Sequence, residues 1–326
     1  MNVPDDFLSV RDEHSFRRLA LELFRYQAAT VPVYREYLAA LGKDPASVHD
    51  WEEIPYLPVE LFKTRDIIAG GKKAERIFSS SRTTGQSPSR HLLADVSLYE
   101  RSFRSCFERI YGDVSRYAVL VLLPSYLERE GSSLVYMAED LVRRSGHPRS
   151  GFYLHQYAEL QGLLLQLQEE GTPVLLLGVT FALLDLAEQF PVCFPELMVM
   201  ETGGMKGRRK EMIREELHDL LCRAFGVQRI HSEYGMTELL SQAYSTGQGL
   251  YQAPPWMRVR IREVNDPFSY LPAGAIGGLC ITDLANVHSC AFLATQDLGR
   301  VQEDGRFEVL GRFDHAEARG CNLLVL

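Results

Sequence analysis

Residues 117–123 read Tyr-Ala-Val-Leu-Val-Leu-Leu, with no charge and no turn residue. A run this short and this apolar suits a strand buried on both faces, as in a parallel sheet covered by helices. It does not stand alone. Residues 173–177 and 197–200 read as further strands, and 227–231 as another that delivers Tyr234. Between them, 97–111, 132–145 (capped by Ser132 or Ser133), 157–170 and a charged segment from about 209 to 224 read as helices. The alternation predicts an α/β fold, a sheet with covering helices. Upstream, Phe16, Leu19, Ala20, Leu23, Phe24 and Ala28 recur at helical spacing until Pro32 interrupts them. Pro55 and Pro58 then impose an extended stretch. Beyond residue 245 the texture changes to short β-type segments at 258–264, 277–282 and 299–310, punctuated by Gly, Pro and Asp-Gly turns. The expected layout is one unit over 1–326: a helical part to 65, an α/β core over 66–245, and a small β-rich subdomain with a tail over 246–326.

A chain of 326 residues can bury a large core, and its net charge of −8 argues against a nucleic-acid surface. The basic group Lys206, Arg208, Arg209 and Lys210 fits a solvated helix start at least as well. The acidic, polar N-terminus does not resemble a signal peptide, and no apolar run approaches bilayer length. Six cysteines are scattered without a Cys-x-x-Cys pair, so a reduced cytoplasmic protein is the simplest reading. His288 and Cys290 beside Cys280 match no common zinc spacing, and buried thiols account for them better.

Two segments carry most of the chemistry. Ser79-Ser80-Ser81-Arg82-Thr83-Thr84-Gly85-Gln86-Ser87-Pro88 is a run of hydroxyls following the apolar pair Ile77-Phe78. Small donors on such a loop suit a polyphosphate; a surface hairpin turn is the plain alternative. No Gly-x-x-x-x-Gly-Lys-Ser/Thr is present, which excludes a P-loop ATPase. Far downstream lies Tyr234-Gly235-Met236-Thr237-Glu238, where Tyr234 could equally be an ordinary core aromatic. Gly203 and Gly204, between a strand and a helix, would let backbone approach a ligand or simply form a turn. His231 could line a pocket or be a hydrogen-bonded core histidine, and Asp297 could be a turn residue.

Together these segments resemble the adenylate-forming enzymes, and two further matches follow in order: Thr295-Gln296-Asp297-Leu298-Gly299 and Gly311-Arg312-Phe313-Asp314. The resemblance implies the N-terminal-domain fold of that superfamily, with its mobile C-terminal domain absent. It also implies ATP and magnesium as cofactors. Ser80, Ser81, Thr83, Thr84 and Gly85 would surround the phosphates, with Gly203 and Gly204 on a pocket wall. Tyr234 would flank the adenine beside Gly235, Thr237 would contact phosphate, and Glu238 would hold magnesium. Asp297 would bind the ribose, and Arg312 marks the junction. Arg82 departs from the pattern by replacing a glycine, and Arg90 stands near the family's usual lysine.

One branch fits nearly end to end: the chain is similar to the acyl-protein synthetases, or long-chain fatty acid–luciferin-component ligases. Val31-Pro32-Val33-Tyr34, the stretch from Ile54-Pro55 to Phe62-Lys63, Thr202-Gly203-Gly204 with Lys206-Gly207, and Arg319-Gly320-Cys321 carry that similarity. It implies activation of a fatty acid as acyl-AMP, thioester formation on a cysteine, and hand-over to an acyl-reductase or acyl-carrier partner. Cys321 is the candidate acceptor, with Arg319 as its nearest fixed positive charge. Two alternatives remain open: a ligase passing an acyl or aryl group to coenzyme A or another small acceptor, and a non-catalytic nucleotide- or acyl-binding subunit.

Overall fold

A computed structural model describes residues 6–80, 87–123, 131–203 and 212–312. Helices α1 (Glu13–Thr30) and α2 (Pro32–Ala40) open the chain. The side chain of Asp12 accepts from the backbone N–H of Ser15 at 2.8 Å to start α1, while Pro32 sits where α2 begins and needs no N–H. After β1 (Leu57–Pro58), the hairpin β2 (Arg76–Ser79) and β3 (Arg90–Leu93) stands apart from the main sheet. The alternating region runs α3 (Val96–Tyr111), β4 (Ala118–Leu122), α4 (Ser133–Ser145), β5 (Gly151–Phe152), α5 (Tyr157–Glu169), β6 (Val174–Val179), α6 (Thr180–Gln189), β7 (Met198–Thr202), α7 (Arg214–Phe225) and β8 (His231–Tyr234). The remainder is β9 (Ala243–Ser245), β10 (Leu250–Gln252), β11 (Met257–Arg262), β12 (Tyr270–Leu271), β13 (Ile276–Asp283), β14 (Phe292–Val301) and β15 (Phe307–Arg312).

The expected α/β sheet with covering helices is present. Its order is β12-β11-β13-β14-β15-β10-β9-β8-β7-β6-β4-β5, with β1 added beside β14. From β5 to β8 neighbouring strands are parallel. At β8–β9 the pairing turns antiparallel and stays so to β12. β4 and β6 are buried along their whole length, as a doubly covered parallel sheet requires. The β-rich portion after residue 245 extends this same sheet, and the buried apolar side chains join into a single cluster.

Several boundaries differ from the sequence reading. The strand leading to the tyrosine motif is His231–Tyr234 rather than 227–231, because Gly226, at φ 67°, ends α7 and the chain needs a few residues to re-enter the sheet. Segment 299–310 is the end of one strand, a turn and most of another. Helix α6 has no counterpart in the sequence reading, since its apolar residues merge with the preceding strand. Among the described residues no helix is long and apolar enough to cross a membrane.

One buried carboxylate holds the segment after Tyr234 in place. Asp283, at the end of β13, is fully buried. Its Oδ2 accepts from the backbone N–H of Leu240 at 2.8 Å and of Ser241 at 2.9 Å, and its Oδ1 accepts from Ser241 Oγ at 2.6 Å and the N–H of Ala285 at 3.2 Å. Ser241 Oγ is also shared with Ser102 of α3 and the indole N–H of Trp256. Asp283→Asn keeps the shape but turns an amide donor toward N–H or O–H donors. It is expected to lower unfolding free energy by about 3 kcal/mol, read from urea denaturation midpoints at constant m.

Candidate active site

The carboxyl ends of β6, β7 and β8 point to one edge of the parallel half, where open α/β sheets bind ligands. β7 ends at Thr202, and Gly203 follows with φ 68°, a left-handed conformation that favours glycine. The Gly203 carbonyl accepts from Thr180 Oγ1 at 2.7 Å, tying the ends of β6 and β7 together. β8 ends at Tyr234, whose hydroxyl donates to Asp297 Oδ2 at 2.7 Å although 63 residues separate them. The Tyr234 ring packs against Tyr251 and Phe307. Asp297 is 8% exposed. Its other oxygen lies 3.4 Å from Arg312 Nε, and Arg312 donates to Gln296 Oε1 at 3.1 Å. Tyr234, Asp297 and Arg312 therefore form one cluster, and the two oxygens of Asp297 keep acceptor capacity beyond these contacts.

Glu238 is 5% exposed, and burial holds its carboxyl above the usual carboxylate range, with the Ser89 hydroxyl and Arg312 pulling the other way. Asp297 is raised for the same reason. Arg312 thus serves as shared counter-charge to two buried acids. Ser89 belongs to the hairpin closure: its N–H donates to Ser80 Oγ at 2.8 Å, and its carbonyl accepts from the Ser80 N–H at 3.0 Å. Ser80 therefore pairs with Ser89 through both its hydroxyl oxygen and its backbone N–H. Arg90 turns outward to Asp66 at 3.1 Å.

Thr237 is half-buried, and its carbonyl accepts from His91 Nδ1 at 2.8 Å. The other His91 nitrogen faces Asn286 Oδ1 at 3.2 Å. The Asn286 amide donates to the carbonyls of Glu238 and Cys290, which fixes its orientation. Two facing acceptors favour a charged imidazole, but burial outweighs them and pushes the His91 pKa down to about 4. The ring is neutral, and its single N–H goes to the shorter contact, at Thr237. His91, Asn286 and Ser89 had no sequence signal, because they act through backbone carbonyls and hydroxyls scattered along the chain.

Among the expected site residues, Ser81, Thr83, Thr84, Gly85, Gly204 and Cys321 lie outside the described residues, as do Arg82, the basic group at 206–210 and Arg319. Of those described, Ser80 bonds Ser89, whose hydroxyl reaches Glu238; Glu238 lies within charge range of Asp297 and Arg312, and Tyr234 bonds Asp297. Thr237 is held by His91 and Gly203 by Thr180. No group of three His, Cys, Asp or Glu among the described residues could hold a metal by itself. Glu238 as a single buried carboxylate fits magnesium that arrives with phosphate, since that ion takes one or two carboxylates and completes its shell with phosphate and water. His231 bonds Tyr111 at 3.3 Å, and burial keeps it neutral, near pKa 4. Cys106, Cys280 and Cys290 are buried, with thiols pushed up to about 12.

Gly235 stands beside a further buried acid, Glu233. A Cβ there would come within 2.5 Å of Glu233 Oε1. Glu233 accepts from Thr202 Oγ1, and burial with help from Glu201 raises its pKa to about 7. A carboxyl raised on folding adds stability that is full below pH 4 and lost as pH climbs through 7. Glu233→Gln is therefore expected to flatten the pH dependence of stability between pH 5 and 8 by up to about 3 kcal/mol, measured as urea midpoints of both proteins across that range.

No family model matches this sequence. The chain is 21% identical to the long-chain-fatty-acid–luciferin-component ligase of Vibrio harveyi, over 99% of its own length and 90% of that protein's. The ATP-bound structure of MatB from Rhodopseudomonas palustris superposes with a TM-score of 0.55 at 18% identity, covering 72% of this chain. The chain spans 47% of MatB, about half its length. A 2-hydroxyisobutyryl-CoA ligase in complex with 2-HIB-AMP gives a TM-score of 0.64 at 14% identity, covering 94% of this chain and 69% of that one. The chain thus has the fold of the adenylate-forming enzymes and resembles, from end to end, a long-chain fatty acid–luciferin-component ligase.

Proposed function

We propose that this protein activates a carboxylic acid with ATP to form acyl-AMP and then passes the acyl group to a protein cysteine. The observation that carries the reading is the Tyr234–Asp297–Arg312 cluster, assembled beside Glu238 at the carboxyl edge of the parallel strands. A carboxylate is a poor acyl donor because its leaving group would be oxide. When its oxygen attacks the α-phosphorus of ATP, a new O–P bond forms and the bond to pyrophosphate breaks, giving a mixed anhydride. A thiolate then attacks the carbonyl carbon and AMP leaves, giving a thioester. In this reading Asp297 accepts from the ribose hydroxyls, and Tyr234 walls the base. Thr237 and the loop of Ser80, Ser81, Thr83, Thr84 and Gly85 donate to the phosphates, with Gly203 and Gly204 on the pocket wall. Glu238 holds magnesium, which supplies charge stabilisation on the phosphates.

The relative's name supports a long-chain fatty acid as substrate and a luciferin component as acceptor; the proposal adds a partner that takes the acyl group onward. Cys321 is the acceptor in this proposal. Thiols held near pKa 12 are poor nucleophiles, which counts against Cys106, Cys280 and Cys290. Exposed Cys193 precedes β7, at the end of that strand remote from Gly203. A thiol acceptor also suits a reducing cytoplasm.

Asp297→Ala is expected to weaken ATP binding by roughly 2 kcal/mol or more, about thirtyfold in Kd by calorimetry; unchanged affinity removes Asp297 from the site. Incubation with labelled fatty acid and ATP should leave hydroxylamine-labile label on the protein. Cys321→Ser should abolish that label while acid-dependent ATP–pyrophosphate exchange continues. Label on coenzyme A instead favours the small-acceptor alternative.

A further inference from the structure

Strand alternation places Glu233 on the face of β8 opposite Tyr234. That face looks toward α3: the Glu233 charge is felt by Tyr99 of α3 and by Tyr244, its cross-strand partner on β9. Glu233 is 7% exposed, takes one hydroxyl from Thr202, and directs Oε1 against Gly235. Gln242 lies on the same side, with its Cγ and Nε2 3.6 Å from the point where a Gly235 Cβ would stand. It is 3% exposed, and its Oε1 has no hydrogen-bond partner among the described residues. Gln242 and Tyr244 also help to wall a cavity of about 240 Å³ with Cys106, Arg109 and Arg258. Glu233 thus turns a buried carboxyl oxygen to Gly235, while the Gln242 amide presents its Nε2 to the same glycine and leaves its buried Oε1 without a partner among the described residues. Buried acceptors of this kind are costly unless a donor arrives to meet them. An alkyl chain lying there would leave both unmet.

We infer that the acid activated here carries a hydrogen-bond donor, a hydroxyl or an ammonium, close to its carboxyl group, and that Glu233 and Gln242 read it. The inference rests on the ligase reading and names its substrate class. Nearness to the carboxyl follows from the chain: Glu233 is adjacent to Tyr234 and Gly235 and only a few residues from Thr237, where the activated phosphate is proposed to sit. A long tail beyond that donor remains compatible with the aromatic residues of α3, among them Phe103 and Phe107.

The test is ATP–pyrophosphate exchange by the full chain with butanoic and dodecanoic series, each as the unsubstituted, α-hydroxy, β-hydroxy and α-amino acid. At least one substituted acid should exceed its unsubstituted parent about tenfold or more in kcat/KM, because a site built around buried acceptors rejects a ligand that leaves them unpaired. Glu233→Leu should collapse that ratio toward one. Glu233→Gln, which keeps an acceptor oxygen but no charge, should retain discrimination for a hydroxyl and lose it for an ammonium. Unsubstituted acids used as well as or better than substituted ones by the unaltered protein overturn the inference and leave the ligase reading standing. So does a preference that survives in both variants. No exchange with any acid overturns the ligase reading and this inference together.

Discussion

Asp283 is fully buried and accepts four hydrogen bonds, and the placement of the tyrosine motif depends on them. The segment after Glu238 leaves the parallel half of the sheet and must return as an antiparallel strand. A backbone turning inside a protein needs partners for every N–H it exposes. Asp283 supplies them at Leu240 and Ser241 from the end of β13, while Ser241 Oγ binds in turn to α3 and Trp256. The point where strand direction changes is thus tied to both halves of the sheet and to a covering helix. Tyr234, Thr237 and Glu238 sit just before that knot and inherit its position.

A second set of polar ties reaches the same motif from the N-terminus. Gln27, buried in α1, donates to the carbonyls of Asn286 and Val287 and accepts from the N–H of Ala291. This fixes the turn between β13 and β14. Asn286 in that turn then holds the Glu238 carbonyl and faces His91, whose proton goes to Thr237. A helix near the start of the chain, a hairpin strand and a turn near its end therefore converge on two consecutive residues. Each contact contributes modestly, but buried polar ties acting together favour one geometry where apolar packing alone would allow several.

Charge at the site is arranged by burial. Glu238 and Asp297 are both raised by desolvation and share Arg312. Glu233, on the other face of β8, is raised to about 7 by burial and by neighbouring Glu201. The two faces of β8 thus meet two kinds of carboxyl: on the Tyr234 side Asp297, which shares a guanidinium with Glu238, and toward α3 Glu233, raised to about 7. Under the proposed function the first arrangement would meet the nucleotide, and the second a group that donates hydrogen bonds.

The sequence by itself determined the parallel core, because apolar runs such as those of β4 and β6 have one stable place, between two layers of helices. It also determined the motif residues whose backbone demands are local, such as Gly203 with its positive φ and Gly235 pressed against Glu233. Tyr234, Asp297, Thr237 and Glu238 could be picked out as candidates, but not brought into contact. Only the tertiary structure decided that Tyr234 reaches Asp297, that β9 to β15 continue the same sheet, and that Gln27, His91, Asn286 and Asp283 support the site. Hydrogen bonds between residues dozens to hundreds of positions apart leave no period or spacing in a sequence. They become defined only once the strands are paired and water is gone.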